Sequence, residues 1–196
     1  MKRWILLVAV LLVAGAAALW YWQSRGQQGA GTGLVCARYT EHRKDVAADL
    51  TIPQLKDTKA PVYKVLAVID GDTIAVKGNG REFKVRFMAM DAPEKSSTRY
   101  GHPEAFGEEA YRYVKARIDE SDGQVRLTYD ATKVDKYDRD LAYVWLKDGR
   151  MLNALLVSDG YAYSYSSSPK PLYVDLFLAL MRDARAHNRG LWAVCR

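Results

Sequence analysis

The chain has 196 residues, 49% of them hydrophobic, and carries 29 Lys+Arg against 23 Asp+Glu for a net charge of +6. A charged fraction of 27% excludes a disordered chain, a collagen-like repeat and a multi-span membrane protein, and leaves one folded domain with appendages. The charge sits mostly at the front: residues 1–60 hold 8 Lys+Arg and 4 Asp+Glu, leaving 21 and 19 for the rest. Bulk basicity is therefore weak ground for nucleic-acid binding, which must rest on particular arginines.

Lys2 and Arg3 precede an uncharged run from Trp4 to Trp22 that closes in Trp20-Tyr21-Trp22 ahead of Arg25. As a helix, those 19 residues reach about 28 Å, close to the hydrocarbon thickness of a bilayer. Residues 1–25 are therefore expected to form a hydrophobic helix. Its length and interfacial aromatics favour a retained signal anchor; the small residues Ala14 to Ala18 fit a cleaved signal peptide. Either way the leading positive charges stay in the cytoplasm. The remainder is predicted to be exported, held on the membrane if the helix is kept and secreted or periplasmic if it is removed.

Residues 26–60 contain Gly26, Gly29, Gly31 and Gly33 without periodicity and read as a linker, with a short packed piece around Leu50 to Leu55. Cys36 lies in this arm and Cys195 at the far end of the chain. In an oxidising compartment the two are a disulfide candidate; two unrelated thiols are the alternative. The domain proper is placed at 61–196.

Strand-type segments run from Val62 to Ile69, Thr73 to Lys77 and Glu82 to Met90, with turn signals at Gly71 and at Gly78-Asn79-Gly80. A helix is predicted from about Pro103 to residue 118, with Phe106, Ala110, Val114 and Arg117 on one face. Strands resume at Gln124 to Asp130 and Leu141 to Leu146. Helices from Met151 to Asp159 and from Leu172 to Asn188 end at Gly160 and Gly190. Five strands with a helix between the third and fourth match an α+β, five-stranded Greek-key barrel of the oligonucleotide-binding (OB) type with three helices.

Three segments combine into a chemistry: Asp70-Gly71-Asp72-Thr73, Arg86 through Glu94, and Asp135-Lys136-Tyr137-Asp138-Arg139. Singly, each reads as a turn or a solvated loop. Together they supply hard oxygen donors, a carboxylate base and two guanidinium groups, which metal-assisted phosphodiester hydrolysis requires. Asp72 and Asp91 offer carboxylates to a cation such as Ca²⁺, with Asp70 near enough to act directly or through water. Ala92 precedes a proline and is biased to extended backbone that can aim its carbonyl at the ion. Glu94 follows, placed to take a proton from water, and Arg86 and Arg139 can each clamp phosphate oxygens. Arg86 and Asp91 are five positions apart, so an unbroken strand would send them to opposite faces. A bulge or turn must intervene, for which Met90-Asp91-Ala92-Pro93 is the candidate. His42, His102 and His187 are scattered and offer no ligand spacing.

Val68-Ile69-Asp70-Gly71-Asp72-Thr73, the Arg86 to Glu94 segment, Asp135 to Val144 and the terminal Arg189-Gly190-Leu191-Trp192 resemble, in order, the thermonuclease family, the staphylococcal nuclease-like domains. The resemblance implies an OB barrel and a calcium-dependent, sugar-nonspecific endonuclease that cuts DNA and RNA to leave 3′-phosphates. It makes Asp72, Asp91 and the Ala92 carbonyl the metal ligands, and Arg86, Glu94 and Arg139 catalytic, the glutamate acting as base or as organiser of water. Lys136, Tyr137 and Tyr165 become substrate-binding candidates in a chain expected to act as a monomer. Asp138 and Asp140 flank Arg139 where the family's best-studied member has glycines, a departure expected to weaken phosphate binding or to reorient that arginine. The rival is a non-catalytic OB module that binds nucleic acid, which predicts damage to this charged set.

Overall fold

The computed structural model describes residues 49–57, 59–96 and 102–194. The expected N-terminal helix, most of the linker and the Cys36–Cys195 pair lie outside them. Among the described residues no helix is long and apolar enough to cross a membrane.

Strand β1 (Val62–Asp70), β2 (Thr73–Gly78) and β3 (Arg81–Phe87) form an antiparallel meander. Helix α1 (Gly107–Glu120) follows, after the two-residue strand β4 (Met90–Asp91). Then come β5 (Gln124–Val134), β6 (Asp140–Trp145), helix α2 (Leu152–Ser158), the short β7 (Tyr163–Ser164), helix α3 (Val174–Ala186) and a 3-10 turn at Gly190–Ala193. The barrel closes in the order β1-β2-β3-β6-β5, and β4 pairs with β7 outside it. This is the five-stranded OB architecture with three helices.

Alternation builds the barrel. Ile74 and Val76 of β2 and Val85 and Phe87 of β3 are fully buried at period two, which leaves Lys84 and Arg86 on the opposite face of β3. Strand β6 is covered on both sides: Ala142 and Val144 are buried, and so are Tyr143 and Trp145, whose rings meet Tyr173 edge to face at the start of α3. The β2–β3 hairpin turns on Asn79-Gly80, both at positive φ (51° and 77°), where Asn-Gly is the favoured pair. The closing pair is parallel, Val85 opposite Asp140 and Arg86 opposite Leu141. It lays the start of β6, and the loop ahead of it, beside the end of β3.

The predicted elements shift in several places, β5 among them, which runs past its expected end at Asp130 to Val134. The strand predicted to run to Met90 stops at Phe87, and the chain turns at Met88-Ala89, with Ala89 at φ 59°, before resuming as β4. The turn that separates Arg86 from Asp91 thus falls before Asp91 rather than at Met90 to Pro93. Buried Asn153 pins it, donating Nδ2 to the Met88 carbonyl at 3.2 Å while its Oδ1 accepts the Val144 amide at 2.8 Å. Helix α1 begins at Gly107 and not at Pro103, and Ile118 rather than Arg117 extends its buried stripe. At the end of α3 the left-handed position is taken by Asn188 (φ 52°), two residues ahead of Gly190.

Two glycines set how closely α1 sits on the site strands. A Cβ on Gly71 would lie 2.7 Å from the Ala92 Cβ and 2.8 Å from the Ala110 Cβ, and one on Gly107 would lie 2.4 Å from the Glu94 carbonyl oxygen. Gly71→Ala is therefore expected to push α1 and the Ala92 segment apart and to lower stability by about 1–3 kcal/mol. Urea unfolding followed by circular dichroism measures it; an unchanged midpoint would show that the packing relaxes without cost.

Candidate active site

The end of β3 is the origin of the site. Arg86 is 8% exposed, an unusual state for an arginine, and its guanidinium bridges Asp72 of the β1–β2 turn and Asp91 of β4. Asp72 is itself 4% exposed. Its two oxygens are organised by neighbours: the Thr73 hydroxyl donates to Oδ1 at 2.9 Å and the Ala92 amide to Oδ2 at 2.9 Å. Arg86 Nη2 also reaches the Met90 carbonyl at 3.4 Å. The turn at Met88-Ala89 is what brings Asp91 back onto the face from which Arg86 projects.

Glu94 is positioned through its backbone. Its amide donates to Glu104 Oε2 at 2.9 Å, and its carbonyl accepts the Glu104 amide at 2.8 Å, just ahead of Gly107. Next along the chain, Lys95 donates its amide to Asp70 Oδ1 at 3.2 Å, and its ammonium lies 3.3 Å above the Tyr111 ring. Asp70 Oδ1 also accepts the Gly71 amide at 2.8 Å. Strand ends, the Glu94 segment and α1 are thus stitched into one unit.

Arg139 arrives from the loop before β6. Its Nε and Nη2 both reach Asp135 Oδ2, at 2.7 and 2.6 Å, while Asp135 Oδ1 accepts the amides of Tyr137 at 2.8 Å and Arg139 at 3.0 Å. Burial pulls the Asp135 carboxyl upward, but the Arg139 amide and guanidinium and the Tyr137 amide outweigh it and hold the group below the usual carboxylate range. Of the two acids that flank Arg139, Asp140 faces away, taking Arg81 Nη2 at 2.7 Å and the Tyr129 hydroxyl at 2.7 Å, and Asp138 forms the left-handed turn at φ 60°. The carboxylate that holds Arg139 is Asp135.

The predicted residues line two adjoining clefts, except Ala92, which is buried and lines neither. Asp70, Asp72, Arg86, Glu94 and Arg139 line one of about 200 Å³. Arg86 and Arg139 also line the second, of about 700 Å³, together with Asp91, Lys136, Tyr137 and Tyr165. Tyr165, the substrate-binding candidate, is 40% exposed, whereas its neighbours Tyr163 and Tyr161 are committed to packing: Tyr163 is buried at 1% exposure and Tyr161 stacks on Tyr113 at 4.4 Å. Asp130 fixes the far rim of this groove. The Leu172 amide donates to it at 2.7 Å and holds its carboxyl low against the upward pull of burial, helped by the Ala131 amide and the Tyr143 hydroxyl. Sequence reasoning missed Lys84, which lines the smaller cleft two positions before Arg86; strand alternation was the available signal. It also missed Asp135 as the partner of Arg139.

Among the described residues no three His, Cys, Asp or Glu side chains form a ready-made metal cluster. Around Arg86, however, carboxylates outnumber guanidinium two to one within a largely buried group, which leaves a net negative charge. Hard oxygen donors with surplus negative charge fit a divalent cation whose remaining positions are filled by a carbonyl and water.

The structure is thus a closed OB barrel that carries arginines and acids in one cleft at the end of its third strand. The chain belongs to the staphylococcal nuclease homologue family, which its residues 84–194 match. It is 34% identical to the thermonuclease of Staphylococcus intermedius over 138 residues, 69% of this chain and 79% of that protein. It is 33% identical to the thermonuclease of Staphylococcus hyicus over 141 residues, 71% and 80% of the two chains. Endonuclease YncB of Bacillus subtilis (strain 168) is 32% identical over 144 residues, 72% of this chain and 66% of that one.

Neutralising Asp135 tests its hold on Arg139. The lowered carboxyl stabilises the fold above the ordinary carboxylate value near 4 and loses that effect as pH falls through the lowered one. Asp135→Asn is expected to cost on the order of 1 kcal/mol at neutral pH, a difference that closes in acid. Urea unfolding at pH 7 and pH 3 reads both arms, and a gap independent of pH would remove the carboxylate from the explanation.

Proposed function

We propose that this chain is a metal-dependent endonuclease that hydrolyses phosphodiester bonds of DNA and RNA to leave 3′-phosphates, acting as a monomer after export. The observation that carries the reading is the shared cleft: Asp72, Arg86, Glu94 and Arg139, drawn from three distant segments, line one space of about 200 Å³. The names of the relatives, thermonuclease and endonuclease, support the same reaction class.

Asp72, Asp91 and the Ala92 carbonyl would hold the cation, Ca²⁺ by family resemblance, with Asp70 contributing directly or through water. When bound, it would polarise a phosphoryl oxygen and offset the negative charge that develops there. Glu94 takes the proton of the attacking water, or orders that water, as the new P–O bond forms and the P–O5′ bond breaks, and the released O5′ takes up a proton from solvent. Arg86 and Arg139 stabilise the pentacoordinate phosphorane, whose charge exceeds that of the ground state. To do so Arg139 exchanges the Asp135 carboxylate for phosphate oxygens, an exchange between two anions of similar geometry. Lys136 supplies a further positive charge in the larger groove, and Tyr137 and Tyr165 are exposed there as platforms for base stacking, which tolerates any sequence.

Arg86→Lys and Glu94→Gln are each expected to lower kcat on single-stranded DNA by about 10²-fold or more, because lysine cannot reproduce the two-pronged contact and glutamine cannot take a proton. Chelator is expected to abolish hydrolysis and added Ca²⁺ to restore it. Equal digestion by the unaltered chain and both variants would end these assignments, and binding without hydrolysis by the unaltered chain would favour the binding-module reading.

A further inference from the structure

The outward row of β3 reads Glu82, Lys84, Arg86. Glu82 is spoken for by Lys77, whose ammonium meets it at 2.8 Å. Arg86 is held between Asp72 and Asp91, and Arg139 by Asp135. Lys84 differs. It lines the smaller cleft with Arg86 and Arg139, its cross-strand neighbour on β2 is Ala75, and among the described residues it makes no ion pair. It is the cation of that cleft which no carboxylate neutralises there.

Two residues along a strand span about 6.8 Å on one face, a stride that carries a contact from one phosphodiester of an extended nucleic-acid strand to the next. We propose that Lys84 binds the phosphate adjacent to the one held at Arg86, and so makes the site favour polymers over short substrates. The inference rests on the nuclease reading for the location of the scissile phosphate, and it assigns Lys84 a binding role rather than a share in bond cleavage. A strongly hydrated point charge at the cleft edge suits this task, since the neighbouring phosphate requires attraction without fixed bidentate geometry. Cation release from the nucleic acid then makes the contact salt-dependent.

The test compares the full chain with Lys84→Ala, Lys84→Arg and Lys115→Ala, the last removing the same charge from a residue of α1 that lines neither cleft. Kinetics are measured on a long single-stranded DNA and on a substrate with a single phosphodiester, across a NaCl series. Binding of a fluorescent single-stranded oligonucleotide is measured in chelator. Lys84→Ala is expected to raise KM for the polymer several-fold, with a smaller effect on the short substrate, and Lys84→Arg to recover most of it. The slope of log affinity against log salt should fall by about 0.7, the value for one phosphate contact on a single strand, and Lys115→Ala should leave that slope in place. An unchanged polymer KM and salt slope, or an equal loss on both substrates, would overturn the proposal. If the unaltered chain binds DNA but hydrolyses none, the nuclease reading fails while the binding arm still decides Lys84. Hydrolysis that no Lys84 substitution alters leaves the nuclease reading standing and overturns the role given to Lys84.

Discussion

A guanidinium removed from water between two carboxylates is the constraint around which this fold is arranged. Such a group is poor as a source of stability, because stripping water from three charges costs more than their attraction returns unless geometry is very favourable. An apolar cluster of the same volume would serve a barrel better. Its retention at Arg86, Asp72 and Asp91 makes sense if the group exists to be rearranged around a ligand. Phosphate offers the arginine an alternative anion, and a divalent cation offers the carboxylates an alternative positive charge. In the proposed reaction the bridging contacts would keep each side chain in place until either arrives.

Holding that group requires backbones to approach more closely than most sequences permit. Gly71 lets Ala92 and Ala110 close over the first turn, and Gly107 lets α1 start directly against the Glu94 carbonyl. Met88-Ala89 reverses the chain between Arg86 and Asp91 with alanine at a positive φ, and Asn153 supplies hydrogen bonds to the turn and to β6. The same logic closes the other end of the molecule. Gly160 and Gly190 sit back to back at positive φ, each where a Cβ would meet the opposing backbone at 2.3 Å, and they seat Leu191 and Trp192 in the core. The terminal Arg-Gly-Leu-Trp motif therefore reads as a structural clasp, remote in role from the charged clefts.

Much of this was legible in the sequence because local signals and global fold agree. Period-two burial in β2 and β3, the Asn79-Gly80 turn and the order of five strands around α1 were all readable. The acids and arginines were readable by type, since each stands at a strand end or in a loop. What escaped had no local signature. Alanine at position 89 announces no turn, and Pro103 suits a helix start, yet contacts with Glu94 defer that start to Gly107. Asp140 is a rival for Arg139 by adjacency, but a tertiary partner 59 residues away, Arg81, claims it. Asp135 lies four positions from Arg139, yet the pairing depends on a loop shape that only the closed barrel imposes.

The parallel pairing of β3 with β6 has a kinetic corollary. It joins segments far apart in the chain, so the entropy of closing that long loop is lost before the contact returns anything. Arg86 and Arg139 come together only across this seam. A chain that has formed the β1–β2–β3 meander but not yet docked β6 would own every residue of the site and possess no site at all. Chemical competence in such a molecule is a property of the last seam to close, and its recovery after dilution from denaturant clocks that closure directly.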